Sequence, residues 1–142
     1  IITDDYLTHS FAEPFDCIIS YNVIYHGDYA YFKKSIDLCH DLLAAVGLVF
    51  FTCPSRPDAK YGDGIEVREH AYKSSNKSLH PGEVHYFADK QTLEDLLADF
   101  TLLSIHKDEH YWEHDGQTQL GSNWQVIAQK NNLPVVGRTV ID

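Results

Sequence analysis

The stretch that decides the fold is FDCIISYNVIYHGDYAYFKKSIDLCHDLLAAVGLVFFTC, residues 15–53. Near its two ends lie short continuous apolar runs, Cys17 to Ser20 and Leu48 to Cys53, which are typical of strands covered on both faces. The residues between them have helical spacing and about the length that a crossover between parallel strands needs. The pattern predicts a doubly wound α/β sheet.

The segment between the two predicted strands reads as an amphipathic helix. Asp28 is a good N-cap residue, because its carboxylate can accept a hydrogen bond from the first helical turn. Gly47 marks the expected end, because glycine enters the left-handed conformation without a Cβ penalty. The apolar stripe recurs at three- and four-residue steps and consists of Phe32, Ile36, Cys39, Leu43 and Val46.

The polar turn after the first strand has a predictable place. Parallel strands joined through a helix cross over right-handed in nearly all proteins, so residues 21–28 should lie at the carboxyl edge of the sheet. Ligands of open α/β sheets bind at that edge. This segment is therefore the first candidate for a binding site.

These residues also resemble a known family. Phe-Asp-x-Ile-Ile-Ser-x-Asn-Val-x-Tyr-His at 15–26, followed by Leu-Leu-x-x-x-Gly-Leu at 42–48, is similar to the central part of class I S-adenosylmethionine-dependent methyltransferases. The resemblance continues through residues 60–64, the His-Tyr-Phe segment at 85–87 and a closing strand at 124–129. It implies a Rossmann-like, mostly parallel sheet with an antiparallel strand near its C-terminal edge, and S-adenosylmethionine as the cofactor.

The chain departs from this family at its start. A Gly-rich cofactor loop should precede the stretch, yet only 14 residues come before Phe15, and the acidic residue that takes the ribose hydroxyls is missing too. Residues 1–142 therefore resemble the C-terminal half or two-thirds of one methyltransferase-like domain, with the N-terminal part missing. Activity of these residues alone does not follow from the resemblance.

The resemblance also suggests residues on the cofactor side. An acidic residue upstream of the Phe-Asp pair contacts the adenine amino group in the family, and Asp4 matches its position, with Asp5 as the alternative. Tyr21, Asn22 and His26 fall on the segment that the family uses at its cofactor and substrate cleft. For each side chain there is an ordinary alternative, in which it satisfies a turn or packs on a neighbouring helix.

The remaining segments follow less regular patterns. Residues 54–88 show no sustained period and follow a strand at the ligand edge, which favours a substrate lid over an ordinary mobile insertion. Asp89 should cap a helix whose apolar face is Leu93, Leu96 and Leu97. Downstream we expect a strand at 100–105, a polar connection between edge strands at 107–121, a last strand at 123–129 and a tail at 131–142.

Composition limits the function classes. The chain has 142 residues, 44% hydrophobic and 23% charged, which is typical of one globular domain. No apolar run approaches the ~20 residues of a membrane span, and the amino end does not resemble a signal peptide. Three cysteines, Cys17, Cys39 and Cys53, all lie in patterns that predict burial. They favour reduced thiols in a cytoplasmic protein.

The acidic balance argues against a nucleic-acid partner. The formal net charge is −10, and the 11 basic residues are scattered, whereas phosphate binding needs clustered Lys and Arg. A small-molecule acceptor is therefore preferred to a protein acceptor, and no membrane partner is expected.

The histidines and cysteines raise two other kinds of chemistry, a metal site and a Cys-His hydrolase. His106, His110 and His114 have the spacing of one helix face, with His80 and His85 nearby, but no cysteine completes a ligand set and no metal is predicted. Cys53 and His26 could meet at the carboxyl edge as nucleophile and base, but no nucleophile-elbow glycines surround Cys53. The Cys-His hydrolase ranks behind methyl transfer.

Methyl transfer needs little fixed chemistry, because the sulfonium of S-adenosylmethionine is already activated and the protein mainly aligns the acceptor. No catalytic residue is assigned, and the base could be His26, His85 or Tyr86. The opposing hypothesis is a non-catalytic α/β interaction module derived from the same fold. If residues 1–142 are the whole molecule, the unpaired strand edge predicts a homodimer or poor stability.

Overall fold

The structure, a computed structural model, describes residues 2–131. Most of the predicted tail therefore lies outside the described residues. None of the helices in the described part is long and apolar enough to cross a membrane. The elements in chain order are β1 (Phe15–Ser20), α1 (Tyr29–Leu42), β2 (Leu43–Pro54), β3 (Ile65–Arg68), β4 (Ala71–Lys73), β5 (Val84–Tyr86), α2 (Lys90–Leu96), β6 (Phe100–His114) and β7 (Gln117–Lys130).

The main sheet has four strands in the order β1-β2-β7-β6. β1 and β2 are parallel, whereas β7 runs antiparallel to both β2 and β6. The predicted α/β class and the antiparallel strand near the C-terminal edge are confirmed. The doubly wound, mostly parallel arrangement stays a prediction, because only one of these three strand pairs is parallel in the described residues.

Helix α1 covers one face of this sheet. The Asp28 carboxylate caps it as predicted, accepting a hydrogen bond from the Tyr31 backbone N–H at 2.9 Å. Phe32 and Ile36 are fully buried. The Phe32 ring meets Phe51 of β2 edge-on, with ring centroids 5.9 Å apart. Phe32, Ile36 and Cys39 of the predicted apolar stripe thus form the helix side of the core, whereas Val46 is 52% exposed.

The end of α1 corrects the sequence prediction. The helix stops at Leu42, and Leu43 is already extended and paired with Phe15 of β1. Val46, not Gly47, has a positive φ, 57°. Gly47 instead allows a close approach, since a Cβ there would lie 2.9 Å from the carbonyl oxygen of Ala44. Pairing with β1 has overridden the helical period of these residues.

The two parallel strands differ in burial, which also differs from expectation. Val49 and Phe51 of β2 are fully buried, but Ile19 of β1 is 71% exposed. Cys17, predicted to be buried, is exposed, whereas Cys39 and Cys53 are buried as predicted. The physical reason is that β1 is an edge strand of the described sheet, with β2 on one side only.

Residues 54–88 contain a second, small sheet. Its three short antiparallel strands are ordered β3-β4-β5. A bridge between Ser55 and Ala88 and a hydrogen bond from the Ala88 N–H to the Pro54 carbonyl hold the two ends of the segment together. The segment is a folded insertion that begins at the end of β2, and its role as a lid stays a prediction.

The C-terminal part is a helix followed by a long hairpin. The Asp89 carboxylate caps α2 through the Thr92 N–H at 2.8 Å, and Leu93, Leu96 and Leu97 are buried as predicted. The predicted polar connection at 107–121 is wrong, because β6 and β7 pair throughout it. Asp115 and Gly116 form the turn with φ of 50° and 72°, as two-residue hairpin turns require.

Candidate functional site

A cavity of about 460 Å³ opens at the carboxyl ends of β1 and β2. Three parts of the chain line it: the turn after β1, the insertion 54–88, and the β6–β7 hairpin. The lining includes polar, charged and aromatic side chains from all three parts, among them Tyr21, Asn22, His26, Thr52, Asp58, Lys60, Glu83, His85, Asp108, His110 and Trp112. The predicted ligand edge of the sheet therefore does carry a cavity.

Tyr21, Asn22 and His26 were predicted near the cofactor, and all three line this cavity. Asn22 has a positive φ of 57°, which asparagine tolerates better than most residues. Its backbone N–H donates to Thr52 Oγ1 at 2.9 Å, and the Thr52 hydroxyl donates to Asn22 Oδ1 at 3.0 Å. Asn22 thus fixes the turn after β1 to the end of β2, while Tyr21 is 65% exposed.

Asp4 and Asp5 do not line the cavity. Asp4 accepts hydrogen bonds from the Asp5 N–H at 2.8 Å and from His9 Nδ1 at 2.9 Å. The bond from His9 is the largest cause that lowers the pKa of Asp4. Asp5 accepts from the Leu7 N–H at 3.0 Å. Both carboxylates take part in a local turn, and an adenine contact stays a prediction.

His26, Glu83 and His85 come together on one wall. His85 is 5% exposed, and its Nε2 lies 3.1 Å from Glu83 Oε2. The His26 and His85 rings are 4.7 Å apart. Burial is the largest cause that lowers the pKa of His85, followed by the nearby His26. Sequence reasoning had named both histidines but missed Glu83.

The other predicted chemical residues fall outside the cavity. Tyr86 is buried, and burial raises the pKa of its hydroxyl. Cys53 is fully buried in the core, and burial raises the pKa of its thiol strongly. A thiol that is buried and protonated is a poor nucleophile, and neither residue lines the cavity. The Cys53–His26 hydrolase prediction is therefore wrong.

Asp58 forms part of the cavity floor and was missed from the sequence. It is 6% exposed and accepts hydrogen bonds from the Lys60 N–H at 2.9 Å and the Ser122 N–H at 2.8 Å. The second bond ties the insertion to β7. No sequence signal marked Asp58, because its partner lies 64 residues away.

The hairpin supplies the remaining wall. Asp108, His110 and Trp112 alternate along β6 and therefore share one face of the strand. Lys60 Nζ lies 5.9 Å from the centre of the Trp112 ring. His106, His110 and His114 sit on this strand, where four residues span about 13 Å, so they cannot share one metal ion as they could on a helix. Recognising Asp115-Gly116 as a hairpin turn would have revealed this wall.

Comparisons with known proteins find matches among solved structures. No protein-family model and no curated protein sequence matches the chain. The N-methyltransferase NodS from Bradyrhizobium japonicum WM9, in complex with S-adenosyl-L-homocysteine, is 18% identical with a TM-score of 0.57, and the match covers 89% of this chain and 52% of NodS. A methyltransferase from Methanosarcina mazei is 16% identical with a TM-score of 0.67, over 90% of this chain and 65% of that protein.

A third structure adds an acceptor molecule. The 1,6-didemethyltoxoflavin-N1-methyltransferase of Burkholderia thailandensis, with bound 1,6-didemethyltoxoflavin and S-adenosylhomocysteine, is 16% identical with a TM-score of 0.56, over 92% of this chain and 50% of that protein. The chain spans between half and two thirds of the length of these neighbours. At these identities the likeness establishes a shared fold.

Proposed function

We propose that this chain, which has the class I S-adenosylmethionine-dependent methyltransferase fold, is part of an enzyme that methylates a small molecule. The observation that carries the proposal is the cavity at the carboxyl ends of β1 and β2, where open α/β sheets bind their ligands. The NodS and toxoflavin methyltransferase structures contain S-adenosylhomocysteine. S-adenosylmethionine is the corresponding cofactor of the present chain.

The cofactor-side residues of the proposal are those predicted from the sequence. Tyr21, Asn22 and His26 lie on the cavity wall that follows β1. The two Asn22–Thr52 hydrogen bonds fix the position of this wall relative to the end of β2. Asp4 or Asp5 serves the adenine end. The exposed carboxylate of Asp4 pairs with His9 Nδ1 at 2.9 Å.

The reaction follows from the reagent. The acceptor atom attacks the methyl carbon in line, the carbon–sulfur bond breaks with its electron pair going to sulfur, and the acceptor proton leaves to a base or to water. The chain's task is to align the acceptor and keep water out. Of the three predicted bases, His26 and His85 line the cavity and Tyr86 does not.

The cavity favours a small polar acceptor over a protein. A volume of about 460 Å³ falls in the usual range of small-molecule sites, about 300–1,000 Å³. Carboxylates, imidazoles and amides dominate its lining, with Tyr25 and Trp112 as aromatic surfaces. This composition suits an acceptor with both a flat part and hydrogen-bonding groups.

The non-catalytic interaction module remains the second candidate, because one observation favours it. The β1 edge exposes Phe15, Cys17 and Ile19, and exposed apolar strand edges tend to pair with other chains. A stable dimer measured by light scattering, together with no affinity for S-adenosylhomocysteine, would favour the module.

Calorimetric titration of S-adenosylmethionine and S-adenosylhomocysteine into the protein at its full natural length tests the proposal. We expect micromolar binding. Asn22→Ala should weaken binding, and Asn76→Ala, at an exposed site outside the cavity, should not. Asp4→Ala compared with Asp41→Ala tests the adenine contact in the same way. Absence of binding by a folded full-length protein would overturn the proposed function.

A further inference from the structure

We propose that His26, Glu83 and His85 form a binding site for one divalent first-row transition-metal ion, open toward the cavity. Each residue offers one ligand atom, and these atoms all lie within 4.8 Å of one another. No other such group of three His, Cys, Asp or Glu side chains occurs among residues 2–131. The inference concerns the same cavity as the proposed function and rests on that function only for the use of the metal.

The spacing suits a metal ion of this size. Bonds of about 2.0–2.2 Å in a tetrahedral site place ligand atoms about 3.4 Å apart. His85 Nε2 and Glu83 Oε2, at 3.1 Å, are already near this separation. His26 and Glu83 are exposed, so their side chains can rotate to close the rest of the distance, while buried His85 provides a fixed point.

The backbone holds the three residues in place. Glu83 and His85 are two residues apart in extended chain, so their side chains share one face. The Glu83 carbonyl accepts a hydrogen bond from the Ser74 N–H at 2.9 Å, which continues the β4–β5 ladder. The Tyr86 N–H donates to the Tyr25 carbonyl at 3.0 Å. This last bond joins β5 to the turn after β1 and brings His26 beside His85.

The donor set selects the class of metal. Imidazole suits zinc, copper, iron and nickel, whereas calcium and magnesium prefer all-oxygen sites. Two histidines and one carboxylate occur in catalytic zinc sites and in non-haem iron sites, both of which keep open coordination positions. The side of the cluster that faces the cavity supplies those positions, and two further carboxylates, Asp58 and Asp108, and the ammonium group of Lys60 also line the cavity.

In the proposed methyltransferase the open position would take the acceptor. An acceptor hydroxyl or amide bound to a divalent cation loses its proton to water more readily, because the cation stabilises the anion that remains. The electron pair of that anion then attacks the methyl carbon, and the bond to sulfur breaks as before. His26 and His85 would then act as ligands, with no proton passing through them.

Metal binding can be measured without turnover. The full-length protein is treated with a chelator and dialysed, then titrated with Zn²⁺ by calorimetry and with Co²⁺ by visible absorption. We expect one ion per chain and a cobalt spectrum typical of mixed nitrogen and oxygen ligands. His26→Ala and Glu83→Gln change exposed residues and should each weaken binding at least tenfold. His114→Ala, on β6 but not in the lining of this cavity, should leave it unchanged.

The outcomes separate the two proposals. Weak binding of several ions, or affinity that His26→Ala does not change, would identify adventitious sites on other histidines and overturn the metal proposal. A titration of S-adenosylhomocysteine into the chelator-treated protein tests the cofactor site alone. Cofactor binding without specific metal binding would refute the metal site only, and the reverse result would refute the methyltransferase function only.

Discussion

β1 and β2 are neighbouring parallel strands with similar apolar sequences, yet they have opposite environments. Phe51 and Cys53 of β2 are fully buried between α1, β7 and the rest of the core, whereas Ile19 of β1 is 71% exposed. An apolar run therefore indicates that a strand can be buried on both faces, and the surrounding elements decide whether it is. Of these two strands, only β2 has a strand neighbour on each side in the described sheet, with β1 on one side and β7 on the other.

The largest expected difference between the strands is in the cost of truncating a side chain. Phe51→Ala removes a fully buried ring that packs against Phe32, which should lower the free energy of unfolding by about 4 kcal/mol. Ile19→Ala removes an exposed side chain and should cost less than about 0.5 kcal/mol. Urea denaturation of both variants measures the difference.

Phe51→Leu serves if Phe51→Ala does not fold, because it leaves a smaller cavity and should still cost more than Ile19→Ala. A cost above about 1 kcal/mol for Ile19→Ala would contradict the exposure of β1. It would mean that residues outside 2–131, or a second molecule, cover this strand in solution.

Thiol labelling should distinguish the exposed cysteine of β1 from the buried cysteines of α1 and β2. Burial raises the pKa of Cys39 on α1 to about 11 and raises the pKa of Cys53 further, so the reactive thiolate is about 100-fold scarcer for Cys39 than at its ordinary pKa of 9.0. Cys17 on β1 is exposed. In native protein, we expect one cysteine to react with an aromatic disulfide reagent in minutes and two only after unfolding.

Peptide mapping by mass spectrometry would identify the labelled cysteine, and Cys17→Ser should remove the fast phase. Fast labelling of Cys53 would show that β2 opens locally in the native state. Slow labelling of Cys17 in the native protein would contradict the exposure of β1, as a large destabilisation by Ile19→Ala would, since both side chains are on this strand.

Sequence reasoning succeeded where local patterns and burial agree. Asp28, the apolar stripe with Phe32 and Ile36, and the helix capped by Asp89 all follow short-range rules and are present as predicted. It failed at Leu43–Val46, where a good helical period was converted to strand by pairing with β1. It also failed at 107–121, where polar strands extend beyond the core and lose the apolar signal.

The site was predictable only in part, for the same reason. Residues 21–26 follow a recognisable strand, so Tyr21, Asn22 and His26 could be placed at the carboxyl edge. Glu83 and Asp58 belong to an insertion without periodicity, and their partners lie far away in sequence or come from short strands. Such contacts depend on tertiary packing, which a single sequence shows only weakly.

A smaller effect is expected from the contact that joins the ends of β1 and β2. Thr52→Val removes the hydroxyl that accepts from the Asn22 N–H and donates to its side-chain oxygen. Because Thr52 is 2% exposed, we expect a loss of about 1–2 kcal/mol in the free energy of unfolding, and weaker cofactor binding as the turn loosens. Thr52→Ser keeps the hydroxyl and should largely preserve both properties. Equal losses in both variants would instead assign the effect to the methyl group.

The smallest expected effect lies beyond the end of β2, where Arg56 pairs with Asp89 at 2.6 Å. Although burial acts to raise it, the pKa of Asp89 is lowered by hydrogen bonds from Thr92 and by the Arg56 charge. A lowered carboxyl pKa means that this stabilisation is present above the pKa of the unfolded state, about 3.9, and is lost as the pH falls through the pKa of the folded state.

Because the Asp89 side chain is 40% exposed, solvent screening limits the ion pair to less than about 1 kcal/mol. Asp89→Asn keeps an N-cap oxygen, so stability at pH 7 should change little while its dependence on pH below about 4 becomes flatter. An unchanged pH profile in Asp89→Asn would show that other carboxylates control the acid sensitivity of the fold.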